Sequence, residues 1–248
     1  MRLPRFILTK NGRSILALRL ITLCFVLLLA SAIMLSAAMV HVLKTDNFYK
    51  PKSTNQTIII DAGHGGFDGG AVVSDILEKD INLKISNALC DMLKATGFNV
   101  IATRTDDSST ESDPTATISA RKKSDLNNRL QLTKDNPEAI YISIHLNKYP
   151  LESCKGAQIF YSPNTSESSA LAEEIKLSIK YLLQPDNHRT TKQGTKSTYI
   201  LYYSPIPTVI TECGFMSNPT ELNNLINSEY QNKMAFSIYC GILNYFDK

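Results

Sequence analysis

Six stretches of the chain lose almost all of their polar positions: "TIIID" at 57–61, "FNVIATR" at 98–104, "AIYISIHL" at 139–146, "GAQIFYS" at 156–162, "TYILYY" at 198–203 and "PTVITE" at 207–212. Runs this short, apolar and rich in β-branched residues predict strands buried on both faces, as in a sheet sandwiched by helices. Between them the apolar positions recur every three to four residues. Ile81, Ile85, Leu89, Met92 and Leu93 predict one helix, and Ala170, Leu171, Ile175, Ile179, Leu182 and Leu183 another. Met234, Ala235, Ile238, Ile242 and Leu243 predict a third, opened by Ser228 and Gln231 as a capping box, and Asn218 before Pro219 marks a further helix start. Residues 106–131 begin as a polar loop and turn helical near Ile118, with Arg121, Lys122 and Lys123 expected on a solvated helix face. The alternation predicts one α/β domain, spanning residues 57–248, with no internal repeat.

The N-terminal part reads differently. Leu20–Val40 passes without a charge, long enough to span a hydrocarbon core, and residues 20–43 are expected to form a transmembrane anchor. Residues 1–19 hold Arg2, Arg5, Lys10, Arg13 and Arg19 and no acid, so they are expected in the cytoplasm and the domain outside. The alternative is export followed by cleavage of a signal sequence, for which "ASA" and "SAA" offer small residues. Residues 44–56, polar and interrupted by Pro51, read as a linker. Of the net charge of +3, +5 lies in residues 1–19, so the remainder carries −2. A near-neutral domain argues against nucleic acid as a partner. Cys90, Cys154, Cys213 and Cys240 show no paired CxxC spacing and read as free thiols rather than a disulfide framework or a zinc knuckle.

The chemistry collects where strands end. His64 follows "TIIIDAG", His145 lies in "YISIHLN", Glu212 closes "VITE", and Glu78 opens the helix after a loop with five glycines, "GHGGFDGG". In open α/β sheets ligands bind beyond the carboxyl ends of strands, so these four side chains are expected on one rim. Two imidazoles and two carboxylates suit zinc, with three binding and one left to act as base. The glycine loop lacks the GxGxxG spacing of a dinucleotide site and the GK[ST] of a P-loop, and no HExxH helix is present.

Taken in order, "DAGHGGFDGGAV", "LEKDINL", "YISIHLN" and "VITECGFMSNPTE" resemble the zinc-dependent N-acetylmuramoyl-L-alanine amidases of the amidase-3 family over nearly all of residues 57–246. The resemblance implies a central, mostly parallel six-stranded sheet flanked by helices, and hydrolysis of the amide between the muramic acid lactyl group and L-alanine in peptidoglycan. It implies His64, Glu78 and His145 as zinc ligands and Glu212 as catalytic base. Asp61 is expected to steady a ligand imidazole, and Arg129 and Asn147 to touch substrate. A closer likeness is to the membrane-anchored, germination-specific amidases of spore-forming bacteria, seen in the "SARKKSDLNNRL" segment and the tail "YQNKMAFSIYCGILNYF". That likeness implies stem-peptide removal for muramic-δ-lactam formation in spore cortex, and leaves open a regulatory protein partner. Cys213, beside Glu212, is expected to make activity sensitive to oxidation or to competing metal ligation. Two competing readings remain at this stage: a zinc peptidase cutting within the stem peptide, and a noncatalytic wall-binding module.

Overall fold

The structure is a computed structural model that describes residues 19, 21–34, 36 and 56–247. The chain divides into two units, residues 1–49 and 50–248. In the first, residues 21–34 are helical. The expected membrane anchor is overturned: among the described residues no helix is long and apolar enough to cross a membrane. The basic segment before Arg19, residues 20, 35 and 37–43 of the expected anchor and the linker before Gln56 lie outside the described residues.

The second unit is built on a six-stranded sheet of order β4-β1-β5-β8-β6-β7. Its strands are β1 (Thr57–Ala62), β4 (Asn99–Ala102), β5 (Ile140–Asn147), β6 (Gln158–Tyr161), β7 (Lys192–Gln193) and β8 (Thr208–Phe215). A two-stranded hairpin, β2 (Val72–Val73) and β3 (Ile76–Leu77), follows β1. Strands β4, β1, β5 and β8 run parallel, while β6 lies antiparallel to β8 and parallel to β7. The sheet is therefore mostly parallel, and its central strands are the continuous apolar runs that demand cover on both faces.

Helices α1 (Glu78–Ala95), α3 (Ser166–Leu182) and α6 (Ser228–Phe246) supply the cover on one face. There Ile58, Ile60, Ile142, Ile144 and Val209 pack against Ile85, Leu89, Ile175 and Ile238, all buried. Helices α2 (Ile118–Asp135) and α4 (Tyr199–Tyr203) lie on the other face, where Ile59, Tyr141, Ile200 and Ile206 form a second, smaller core with Leu126. Each fully buried Ile or Leu contributes roughly 1.5–3 kcal/mol, so the larger core dominates the fold's stability.

Several expectations change in detail. "TYILYY" forms α4 rather than a strand, and the sixth strand is the short Lys192–Gln193. Ile200 and Leu201 point inward from α4 while Tyr203 is exposed, a split that six residues of apolar sequence do not reveal. Helix α6 is capped by Asn227, whose side chain accepts from the Glu229 and Tyr230 amides, while Gln231 donates to the Leu225 carbonyl and closes no capping box. Asn218 does cap α5 (Pro219–Leu225), accepting from the Glu221 amide.

Candidate active site

The parallel strands β1, β5 and β8 end on one rim, and the chain delivers a polar side chain at each end. β1 runs into Gly63 and His64, β5 carries His145 near its end, and β8 places Glu212 directly beside His145 in register. The β5–β8 ladder shifts register between His145 and Asn147, an irregularity of the kind that re-aims side chains beside functional sites. Helix α1 starts at the same rim, so Glu78 stands in its first turn, where a carboxylate is favoured by the helix dipole.

Glu78 is buried between the two histidines. Its Oε2 lies 3.3 Å from His64 Nε2 and accepts from the Ala71 amide at 2.8 Å. Its Oε1 lies 3.0 Å from His145 Nδ1 and accepts from the Leu146 amide at 3.0 Å and from Asn82 Nδ2 at 3.3 Å. Burial alone would raise the Glu78 pKa, but the hydrogen bonds to His145 and His64 outweigh it and hold the carboxyl well below its usual range. The imidazoles sit edge to face with ring centroids 4.9 Å apart. Against the opposing pull of burial, the hydrogen bonds that its ring nitrogens donate to the Asp68 and Glu78 carboxylates push His64 up to about 9.

Glycine is required here for approach as much as for turning. A Cβ on Gly63 would fall 2.3 Å from His145 Nε2, and one on Gly70 would fall 2.7 Å from both Glu78 Oε2 and His64 Cδ2. His64 itself has φ of 62°, the left-handed region that a non-glycine residue enters at a cost.

One ligand atom from each of His64, Glu78 and His145 lies within 4.8 Å of the others, a grouping able to hold a metal ion. Tetrahedral zinc with ligands at about 2.0–2.2 Å needs them roughly 3.4 Å apart. Glu78 turns Oε1 to His145 at 3.0 Å and Oε2 to His64 at 3.3 Å, so the donor types suit zinc, and the grouping within 4.8 Å closes on an ion by a small shift of the side chains. Glu212 Oε2 is buried beside them and has no hydrogen-bond partner. Burial pushes its pKa up to about 7, against the pull of His145 and His64.

The remaining expected residues part company. Asp61 bonds no imidazole: it accepts from Ser143, from Thr103 at 2.8 Å and from Arg129. Burial raises its pKa, but Arg129, Ser143 and Thr103 more than offset this and hold it at about 2. Arg129, expected at substrate, is only 2% exposed and turns its guanidinium inward. It donates to Asp61, to the carbonyls of Ala62 (3.1 Å) and His64 (2.8 Å), and to Asp125 (2.7 Å). Its place is beneath the histidine loop, pinning α2 to the end of β1. Removing one member of such a buried pair typically costs about 3–5 kcal/mol. Asn147 lies at the rim of an open cavity of about 310 Å³.

Asp68, not among the residues expected at the site, lies 2.9 Å from His64 Nδ1 and 3.2 Å from Lys122 Nζ. Its spacing of four from His64 in "HGGFD" was the available signal. Lys122 and Lys123 are exposed as expected, Lys122 reaching Asp68 from that face, whereas Arg121 is drawn in, pairing with Glu111 at 2.7 Å and lying over the Phe67 ring. Cys213 is fully buried in the larger core, on the face opposite Glu212, and its thiol pKa is raised by burial, so it stands away from the metal grouping. All five cysteines are free.

Residues 58–244 match the family model described as N-acetylmuramoyl-L-alanine amidase. The germination-specific N-acetylmuramoyl-L-alanine amidase of Bacillus subtilis (strain 168) is 37% identical over 203 residues, 80% of this chain and 84% of that protein. The CwlD amidase from Clostridioides difficile, solved in complex with the GerS lipoprotein, is similar at a TM-score of 0.74 and 38% identity, covering 78% of this chain and 99% of that one. An N-acetylmuramoyl-L-alanine amidase from Clostridium difficile 630 is similar at a TM-score of 0.66 and 28% identity, covering 79% of this chain and 99% of that one. The chain therefore belongs to the N-acetylmuramoyl-L-alanine amidase family, and the rim of β1, β5 and β8 is where its histidines and glutamates meet.

Proposed function

We propose that residues 57–248 form a zinc-dependent amidase domain that cleaves the amide between the muramic acid lactyl group and L-alanine, with His64, Glu78 and His145 holding the ion and Glu212 as base. The observation that carries this reading is the convergence of those three donors from three separate elements, next to a buried carboxylate whose Oε2 has no partner. When bound, zinc polarises a carbonyl and lowers the pKa of water. Glu212 takes the proton of the attacking water and returns it to the departing amine. A carboxyl held near neutrality suits both halves of that exchange, since it neither holds nor surrenders the proton too strongly. Asp68 orients His64 through Nδ1, and Asn82 fixes Glu78, so the donors keep their aim before substrate arrives.

Product analysis tests the reaction. Digestion of peptidoglycan is expected to liberate stem peptides beginning with L-alanine, identified by mass spectrometry and N-terminal labelling. Shortened stems still attached to glycan would point instead to a peptidase.

Gly63→Ala is expected to leave the fold intact, because the position has ordinary backbone angles, while its methyl group drives the His145 ring aside. Zinc per chain and activity then fall together while circular dichroism is unchanged. A variant retaining full zinc would show that the loop can yield.

The germination-specific name of the Bacillus subtilis relative supports a role in spore cortex, stripping stem peptides so that muramic-δ-lactam forms. Peptidoglycan lies outside the cytoplasm, so export places the domain with its substrate. The Clostridioides difficile relative was solved with a lipoprotein, which supports a regulatory protein partner for this chain as well.

A further inference from the structure

One face of the sheet is covered unequally. α2 and α4 close it over β1 and the first part of β8, whereas over β6 and β7 it opens into a cavity of about 310 Å³ lined by Asn147, Gln158, Phe160, Arg189, Lys192 and Phe215. Gln158 pairs in register with Glu212, so this floor continues directly from the proposed base. Phe160 pairs with Lys192 on the next strand out.

Arg189 is built into this cavity, while Lys192 stands exposed on the edge strand. The Arg189 guanidinium lies over the Phe215 ring at 4.6 Å, its Nε donates to the Lys155 carbonyl at 2.7 Å, and its Nη1 donates to Gln158 Oε1 at 3.3 Å. Gln158 is itself buried and anchored by donating to the Thr190 carbonyl. Among the described residues, neither Arg189 nor Lys192 forms a salt bridge with a carboxylate. Glu221 lies near enough to feel the Arg189 charge, but the two form no salt bridge and the Glu221 oxygens accept from the Gly156 and Phe215 amides. A guanidinium fixed by an aromatic face and two acceptors is organised to receive a further anion.

We infer that Arg189, assisted by Lys192, binds a carboxylate of the stem peptide and selects substrates in which that carboxylate is free. This rests on the amidase reading above. The glycan beside the scissile bond is neutral because its lactyl carboxyl is tied up as the amide, so the anionic part of the substrate is the peptide, and the cations mark the side on which it leaves the site. Arg189 acts one strand beyond Glu212, roughly 5–10 Å away at about 4.8 Å per strand. An extended peptide rises about 3.5 Å per residue, which brings the second stem residue to the guanidinium. That residue, a γ-linked D-glutamate, carries its α-carboxyl either free or amidated.

The test compares two defined muropeptides that differ only in carrying a carboxylate or a carboxamide at that position, with zinc-loaded wild type, Arg189→Gln and Arg189→Lys. Wild type is expected to prefer the free acid by about ten- to a hundredfold in kcat/KM, expressed mainly in KM, as for one charge-assisted contact. Arg189→Gln is expected to bring the ratio of the two substrates close to one, and Arg189→Lys to restore part of it. Loss of folding is told apart by circular dichroism and zinc content of the same preparations, and the wild-type ratio and Arg189→Lys decide the question where Arg189→Gln does not fold. An unchanged ratio in Arg189→Gln, or equal use of both substrates by wild type, overturns the subsite while leaving the amidase intact. Zinc-loaded wild type that cleaves neither substrate overturns the amidase reading, and the subsite with it.

Discussion

Replacing Glu212 with Gln is expected to lower turnover of a defined muropeptide by about a hundred- to ten-thousandfold, the usual worth of a positioned acid–base group. Zinc content is expected to stay at the wild-type level. The reason is positional. Glu212 lies beside His145 in the sheet register, but its Oε2 makes no hydrogen bond and the metal grouping is complete without it. An amide in its place keeps the volume and loses the ability to accept the proton of water. Steady-state kinetics together with metal analysis of the same preparation check both halves. Turnover retained in Glu212→Gln would remove Glu212 as base, and loss of zinc would make it a ligand instead.

The second large effect concerns the donors. His64→Ala, Glu78→Ala and His145→Ala are each expected to abolish measurable amide hydrolysis, and chelation of the wild type to do the same, with zinc restoring only the wild type. Glu78 is the most sensitive position. It is 4% exposed and faces both imidazoles, so its loss leaves two histidines facing each other across a buried gap. Zinc affinity in these variants should fall further than the roughly 10- to 100-fold that changing a supporting residue such as Asp68 costs. Competition titration with a chromogenic chelator measures the difference. Wild-type affinity in His145→Ala would show that the ion is held elsewhere.

Much of this site was legible because strands announce themselves by continuous apolar runs, and the end of such a run fixes where the following side chain stands. "TIIIDAGH" and "YISIHLN" placed both imidazoles on one rim, and "VITE" placed Glu212 there. Glu78 was legible as the first residue of a helix with clear periodicity.

What was hidden depended on packing across long separations. Arg129 meets Asp61 from 68 positions away, and no spacing distinguishes it from an arginine at a surface. Asp68 bonds His64 through a tight glycine turn, and its pairing depends on positive φ at His64, Gly65 and Gly66. "TYILYY" misled because a short aromatic and β-branched run suits a strand or a helix equally, and burial of Ile200 and Leu201 decided the matter. Lys192–Gln193 carries no apolar signal, since an edge strand needs only backbone partners. The N-terminal stretch is long and uncharged enough to suggest an anchor, whereas among the described residues no helix is long and apolar enough to cross a membrane.

The most direct measurement is anomalous diffraction from crystals of the active enzyme on either side of the zinc absorption edge. A single edge-dependent peak among His64 and His145 nitrogens and a Glu78 oxygen, close to the Glu212 carboxylate, is the predicted result. An active enzyme with no such peak there, or with its zinc bound at other residues, would contradict the proposed centre.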